Sequence, residues 1–529
     1  MLHGKNAIFI RSRPEASEKL ILRKEFQIMT PKLLAFIIYF IVVLGIGIYF
    51  FLRSRSGGDK EYFLGGRRMG PWVTAMSAQA SDMSGWLLMG FPGSILAFGF
   101  GQVWIGIGLA LGTTANWIFI ARRLRKFSKA ANDSITIPQY LSNRFVTKNP
   151  TLQIICAVIF LVFFTVYVAS GFVAGATVFT AVLPQLAGKE ELAMLIFAVI
   201  MLIYTFLGGY KAVCWTDFFQ GLMMLVAILA VPIFIVASGN LQPELLNTAY
   251  TTADGTVYAF ETSFGASWQD IVSGLAWGLG YFGMPHILIR FMGIHKTKMI
   301  KKAATVAIVW VVLTLGAAIL LAYLFRMLPE SKTLLEAGNQ KSIFIMAVDM
   351  LFPGFVAGLL LSAIIAAAMS TADSQLLVAS SSFTSDIYKP IFRKNASEKE
   401  TLWVGRIVVL IVAIVAYFIA SSEGKGAQAI MTMVDNAWGG FGASFGPVII
   451  LSLFWRRLTY KGAVAGVVGG AVVDVLWMIF LTDKTGIYEL LPGFVVGMLC
   501  CVIVSLIDKA PSSEINELYD NAVAMSDEE

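Results

Sequence analysis

Residues 77–93 read SAQASDMSGWLLMGFPG. They lie inside an apolar run from Pro71 to Phe98, and about 20 apolar residues in a helix cross the hydrocarbon core of a bilayer. A carboxylate (Asp82), two hydroxyls (Ser81, Ser84) and Gly85 therefore fall where lipid offers no water. Gly85, Gly90, Pro92 and Gly93 weaken a helix, and Ser81 and Ser84 compete for its backbone hydrogen bonds. A helix broken between Met83 and Gly85 bares N–H and C=O groups at mid-membrane, which is tolerated where they line a cavity rather than lipid. The alternative is a kinked packing helix whose glycines admit a neighbour. Asp82 favours the break, because a kink needs no carboxylate.

The rest of the chain sets that segment in context. Its 529 residues are 57% hydrophobic and 14% charged, with mean hydropathy +0.75, whereas a soluble domain carries about 25% charged residues. Thirteen apolar runs follow one another, at roughly 33–52, 71–98, 101–121, 151–184, 191–208, 213–238, 266–289, 303–325, 354–382, 403–421, 428–454, 462–482 and 486–507. They predict an all-α polytopic membrane protein of about 13 transmembrane helices embedded in a lipid bilayer. The short alternating segments of an outer-membrane barrel are absent. The net charge of +7 is spread over several loops, so no nucleic-acid partner is expected. Cys156, Cys214, Cys500 and Cys501 all fall in apolar runs and are expected as buried thiols. The three histidines are too scattered for a metal site. No aqueous loop exceeds about 30 residues and no Walker A or glycine-rich nucleotide motif occurs. Neither an enzyme nor an organic cofactor is expected.

Loops 53–70, 122–150, 290–302, 383–402 and 455–461 hold 5, 7, 5, 4 and 3 Lys/Arg, and loop 239–265 holds none. The basic set is expected in the cytoplasm, with the N-terminus outside and the C-terminus inside, in the cell membrane. Residues 1–28 carry six Lys/Arg, which resist that placement. They are expected as an extension outside the fold, with Met29 in "MTPKLL" a plausible start. The expected divisions are then 29–70 (first helix and cytoplasmic loop), 71–238, an outer loop 239–265, 266–454, two added helices in 455–508 and an acidic tail 509–529.

Interior polar groups in a span are candidates for function, and they recur in three further places. "SGLAWGLGYFGMPH" (273–286) is broken by glycines and Pro285, and carries Trp277 and Tyr281 on one helix face. "AIIAAAMSTADSQLL" (363–377) puts Ala367, Ser370, Thr371 and Ser374 at i, i+3, i+4 and i+7, one hydroxyl-bearing face. Such oxygens suit a small hard cation better than a proton, although close packing of small residues would give the same pattern. Asp217, in "VCWTDFFQG", either meets Asp373 and Ser374 or reaches the interface from a helix end.

The second and seventh spans are both broken, and five spans separate their starts. An odd repeat inverts the second copy, and matched breaks in two inverted halves point to a transporter's binding site. Spans 2–6 and 7–11 are therefore expected to be the repeats.

These residues resemble the sodium/solute symporter family. "ASDMSGWLLMG" (80–90), "GLGYFGMPHILIRFM" (278–292), "AAAMSTADSQLLVASS" (366–381), "YFLGGRRMGP" (62–71) and "WTDFFQG" (215–221) carry the likeness, which runs from about Thr30 to about Asp508, nearest to the family's proline-transporting members. The resemblance implies an inverted five-helix-repeat (LeuT-like) core that couples Na⁺ influx to uptake of L-proline. It implies a sodium site from the carbonyls of Ala80, Met83 and Ala367 and the hydroxyls of Ser370 and Thr371, with Asp82 as a sodium-sensitive carboxylate. It implies a solute site at Ser84, Gly85, Trp86, Tyr167, Trp277, Tyr281 and Pro285, and a role for Arg67 in transport kinetics. Asp373 departs from the pattern, and with Asp217 and Ser374 it would make a second cation site. A symporter of another small solute and a transporter-like sensor are the competing readings.

Overall fold

The computed structural model describes residues 30–53, 59–207, 209–422 and 427–528. The extension expected at 1–28 lies outside them. The first helix, α1, is Pro31–Arg53. The next span is split into α2, Pro71–Met83, and α3, Trp86–Phe98. There follow α4 (Phe100–Ala130), α5 (Thr151–Val182), α6 (Glu190–Leu207) and α7 (Tyr210–Ser238). A second split span consists of α8 (Trp268–Phe282) and α9 (Pro285–Gly293), bent by 43°. Then come α10 (Thr297–Arg326), α11 (Gly354–Phe392), α12 (Glu398–Ser422), α13 (Ala427–Phe454), α14 (Tyr460–Phe480) and α15 (Leu490–Ile507). Each expected apolar run thus overlies a helix or a broken pair. Among the described residues 10 helices are long and apolar enough to cross a membrane, or 11 with the bent pair. This is fewer than the expected thirteen: the run 71–98 is interrupted at Ser84 and forms no single long helix, and α6 is not among the ten.

The two breaks have different chemistry. Ser84 adopts φ 46°, a conformation that costs a non-glycine residue free energy, and its Oγ accepts from Trp86 N–H at 3.1 Å. Gly85 follows where a Cβ would lie 2.7 Å from the Ala174 Cβ of α5, so the chain crosses α5 only without a side chain. In the second break the turn of Trp277–Phe282 tightens, Met284 is extended, and Pro285 starts α9, where its missing N–H costs nothing. At Gly283 a Cβ would lie 2.3 Å from the Phe441 carbonyl of α13.

Helices α11 and α13 form the centre, with 83% of each one's most apolar window buried against 28% for α1 and α14. The small residues of α11 let it pack on α1, α2, α5 and α7 at once. The loop 239–265 holds a two-stranded hairpin, Tyr250–Thr251 with Val257–Tyr258. The four cysteines are free, with Cys156, Cys214 and Cys501 buried and Cys500 half-buried. The tail expected as merely acidic forms a further helix, α16, Ser513–Ala524.

Candidate functional site

The break in α2 meets α11. Ser370 Oγ donates to the Ala80 carbonyl at 2.9 Å and to the Ala367 carbonyl at 3.2 Å. Thr371 Oγ1, one residue on, is buried with no hydrogen-bond partner among the described residues. A buried hydroxyl left unpaired is costly. Three of the five sodium-ligand candidates (Ala80, Ala367, Ser370) thus meet, and Thr371 is the next residue along α11. Met83 is buried and lines the neighbouring cavity.

That cavity lies between the two breaks. It is lined by Asp82, Met83, Trp86, Tyr167, Trp277 and Tyr281, all expected site residues, and by Leu109, Val434 and Trp438, which were not. Its free volume is ≈ 10 Å³, room for about one water. The Trp86 and Trp277 rings are 5.6 Å apart, Tyr281 meets Trp438 edge-on at 5.0 Å, and Trp438 Nε1 donates to the Trp277 carbonyl at 2.8 Å. Asp82 ties the breaks together. Its Oδ2 accepts from the Tyr281 hydroxyl at 2.5 Å, and its carbonyl accepts from the Tyr167 hydroxyl at 3.1 Å. The Asp82 carboxylate is thus held by the second break. Trp86 Nε1 is buried without a partner among the described residues. Ser84, Gly85 and Pro285 shape the breaks and do not line the cavity.

Asp217 and Ser374 also meet, but on Arg290. The guanidinium Nη2 is 3.2 Å from Asp217 Oδ2 and donates to Ser374 Oγ. Its Nε donates to Ser77 Oγ at 3.1 Å, its Nη1 to the His286 carbonyl at 2.8 Å, and Ser77 Oγ donates to Asp217 Oδ2 at 2.7 Å. Asp217 and Arg290 are both fully buried, and Asp373, fully buried as well, is within electrostatic reach of Arg290. The expectation that Arg290 belongs to a basic loop is corrected here. It lies inside α9, because Asp217 supplies the opposite charge.

Arg67 is buried before α2. It donates to Asp133 Oδ1 at 2.7 Å, Ser128 Oγ at 3.1 Å, the Ser134 carbonyl at 2.8 Å and the Met292 carbonyl at 2.5 Å. It therefore fastens α9 to the start of the α4–α5 connection. Burial pushes the Asp133 carboxyl up, but Lys60 and Arg67 outweigh it and hold it below the usual carboxylate range. A lowered carboxyl stabilises the fold above its ordinary value and loses that contribution as pH falls through the lowered one, so this clasp stays closed at neutral pH. Arg67→Gln is expected to slow turnover about 10-fold, about 1.4 kcal/mol on the barrier, while equilibrium solute binding holds. Comparing initial uptake rates with binding isotherms checks this.

Two broken helices facing each other around a small cavity define a secondary transporter of the inverted-repeat class. The chain belongs to the sodium:solute symporter family, whose model matches residues 62–470. It is 41% identical over 500 residues to the sodium/proline symporter of Escherichia coli K12, covering 94% of this chain and 97% of that one. It is likewise 41% identical over 481 residues to the high-affinity proline transporter PutP of Bacillus subtilis 168, covering 90% and 98%. Among solved structures, a Na⁺-coupled sialic acid symporter in a substrate-bound outward-open state shares the fold with TM-score 0.67 at 20% identity, over 91% of this chain and 99% of the other. Mhp1, a nucleobase-cation-symport-1 family transporter in a closed conformation, aligns with TM-score 0.50 at 14% identity, over 88% and 99%.

Proposed function

We propose that the protein is a sodium-driven L-proline symporter of the cell membrane, with its basic loops and C-terminus in the cytoplasm and its N-terminus outside. The observation that carries the ion site is the α2–α11 junction, where Ser370 bridges the Ala80 and Ala367 carbonyls beside the unpaired Thr371 hydroxyl. Sodium entering from outside takes the place of the Ser370 O–H hydrogen bonds as the link between these oxygens, the hydroxyl turning its proton away and offering its oxygen, and fixes the α2 break. The buried Trp86 Nε1–H and the N–H groups freed after Ser84 then receive the solute carboxylate. The aromatic walls enclose its small ring. Asp82 carries the change to Tyr281 and hence to α8. The free volume of ≈ 10 Å³ requires a wall to move before proline enters, as alternating access demands.

One Na⁺ moving down a membrane potential releases about 2.3 kcal/mol per 100 mV. At about 1.36 kcal/mol per decade, that supports about 1.7 decades of accumulation before any sodium gradient is counted. Coupling is reciprocal, so proline raises sodium affinity by the factor by which sodium raises proline affinity.

The names of the relatives support proline as solute, and so does the lack of an unpaired arginine in the cavity lining. A second sodium at Asp217, Asp373 and Ser374 finds less support, because Arg290 already brings a cation to Asp217 and Ser374. Radiolabelled proline uptake into proteoliposomes, with and without an inward Na⁺ gradient, tests the function. Uptake that ignores sodium would sink it. Trp277→Ala is expected to raise half-saturating proline about 10-fold, about 1.4 kcal/mol of lost ring contact, while sodium binding without proline changes by less than about twofold. An equal loss of both would point to misfolding instead.

A further inference from the structure

Tyr488 stands in the connection between α14 and α15, beyond both expected repeats, and does not line the cavity. It is 8% exposed all the same, because that connection is built against α8. Tyr488 N–H donates to Ser273 Oγ at 3.0 Å, and the same hydroxyl donates to the Gly486 carbonyl at 3.2 Å. Ser273 and Trp277 are four residues apart on α8, so they share one helix face. From the other side, Trp477 Nε1 on α14 donates to the Ile487 carbonyl at 3.1 Å, and Ile487 N–H donates to Thr485 Oγ1 at 3.2 Å. The backbone at Tyr488 is thus held from both α8 and α14.

The side chain joins two walls of the cavity. Its ring stacks on Trp277 at 5.4 Å with 26° between the planes. Its hydroxyl donates to the Asp435 carbonyl of α13 at 2.8 Å. Val434, the residue before Asp435, lines the cavity, as do Trp438 and Trp277. Trp277 also lies 5.6 Å from Trp86 and 6.4 Å from Trp438, whose Nε1 donates to its carbonyl at 2.8 Å. Its backbone is therefore fixed by α13, and its ring is fixed by the rings around it. Of those rings Trp86 and Trp438 belong to the lining, and Tyr488 backs it from outside.

An aromatic wall acts by shape, and a ring keeps its place only while its neighbours fill the space around it. A smaller, non-planar side chain at residue 488 removes a stacked pair and leaves a void behind Trp277.

We propose that Tyr488 is a positioning residue of the solute site, bracing the Trp277 ring against the cavity and so setting the size of ring that the cavity accepts. The inference rests on the proposed reading of this cavity as the solute site. Tyr488 does not line the cavity, so its effect passes through Trp277.

The test uses full-length protein in proteoliposomes, with proline and the next larger ring, piperidine-2-carboxylate, as solutes. In Tyr488→Leu half-saturating proline is expected to rise about fivefold, about 1 kcal/mol. Maximal uptake and sodium binding without solute should each stay within about twofold of wild type. The preference for proline over the larger ring should shrink about fivefold, because a slackened wall costs the extra methylene less. Tyr488→Phe keeps the ring and should recover most of both changes. Tyr488→Met, which fills more of the space without a planar face, serves in place of the leucine variant where that one does not fold. Tyr488→Leu with Trp277→Ala should be no worse than Trp277→Ala alone, about 10-fold, against about 50-fold for independent sites. Additive losses or an unchanged preference would overturn the proposal. Amide hydrogen exchange over residues 268–282 reads the brace with no solute present, and protection there should fall about threefold in Tyr488→Leu. Unchanged exchange would overturn the brace, whatever the protein transports. Lost protection beside a wild type that shows no sodium-driven proline uptake would instead overturn the proposed function and leave Tyr488 as the brace of Trp277.

Discussion

Replacing Ser370 and Thr371 together by alanine is expected to cut sodium-driven uptake about a hundredfold and to abolish the sodium dependence of solute binding. Ser370 Oγ is the only side-chain donor to the Ala80 carbonyl among the described hydrogen bonds. Losing it strands a carbonyl at the open edge of a broken helix. Losing Thr371 removes a buried hydroxyl that has no partner among the described residues. Each such group is worth about 1–3 kcal/mol, so the pair accounts for about 1.5 to 4 decades at about 1.36 kcal/mol per decade. The single Thr371→Ala change isolates the ion, since it breaks no protein hydrogen bond described here. It should raise half-saturating sodium about 10-fold while leaving the thermal midpoint of the sodium-free protein unmoved. Sodium titrations of uptake and of proline binding, run beside thermal melts in detergent, read all four. Full activity of the double variant would remove the α2–α11 junction from the mechanism.

The break itself was legible because its chemistry is local. Serines, glycines and a proline inside an apolar run weaken a helix wherever they occur, and both broken spans were found that way. The torsions that make the first break were not legible. Ser84 takes φ 46° because α5 and α11 hold the chain there, and no neighbour in sequence dictates that. Trp438 was missed for a related reason. It lies in an apolar run with no polar break beside it, so only the fold turns it toward Trp277 and Tyr281. Arg290 was misplaced because a guanidinium near the end of an apolar run reads as a loop residue until its carboxylate is known. That carboxylate comes from Asp217, 73 residues earlier. The tail helix could have been read. Ile515, Leu518, Tyr519 and Ala522 fall at i, i+3, i+4 and i+7, a helical stripe outweighed by the acidic residues around it.

Arg290→Met is expected to be the most damaging single change in the membrane core. It removes a buried cation and leaves the fully buried Asp217 without its opposite charge, and breaking a buried pair from one side costs about 3–5 kcal/mol. The guanidinium also donates to Ser77, His286 and Ser374, so three further contacts between α2, α9 and α11 go with it. Folded yield and the thermal midpoint in detergent should both fall sharply. The double variant Arg290→Met with Asp217→Asn should recover most of that loss, because a neutral amide buried beside Ser77 is far cheaper than a stranded carboxylate. The same pair of variants decides what Asp217 is for. If Arg290 is the permanent partner of Asp217, the double variant keeps the sodium dependence of wild type with a Hill slope near one. If Asp217, Asp373 and Ser374 instead hold an ion, removing the competing guanidinium should strengthen sodium binding in Arg290→Met and steepen its sodium curve, and sodium should rescue its thermal midpoint. A guanidinium already within 3.2 Å of Asp217 and bonded to Ser374 favours the first outcome. A sodium ion there would have to displace a tethered cation that leaves behind three hydrogen bonds of its own.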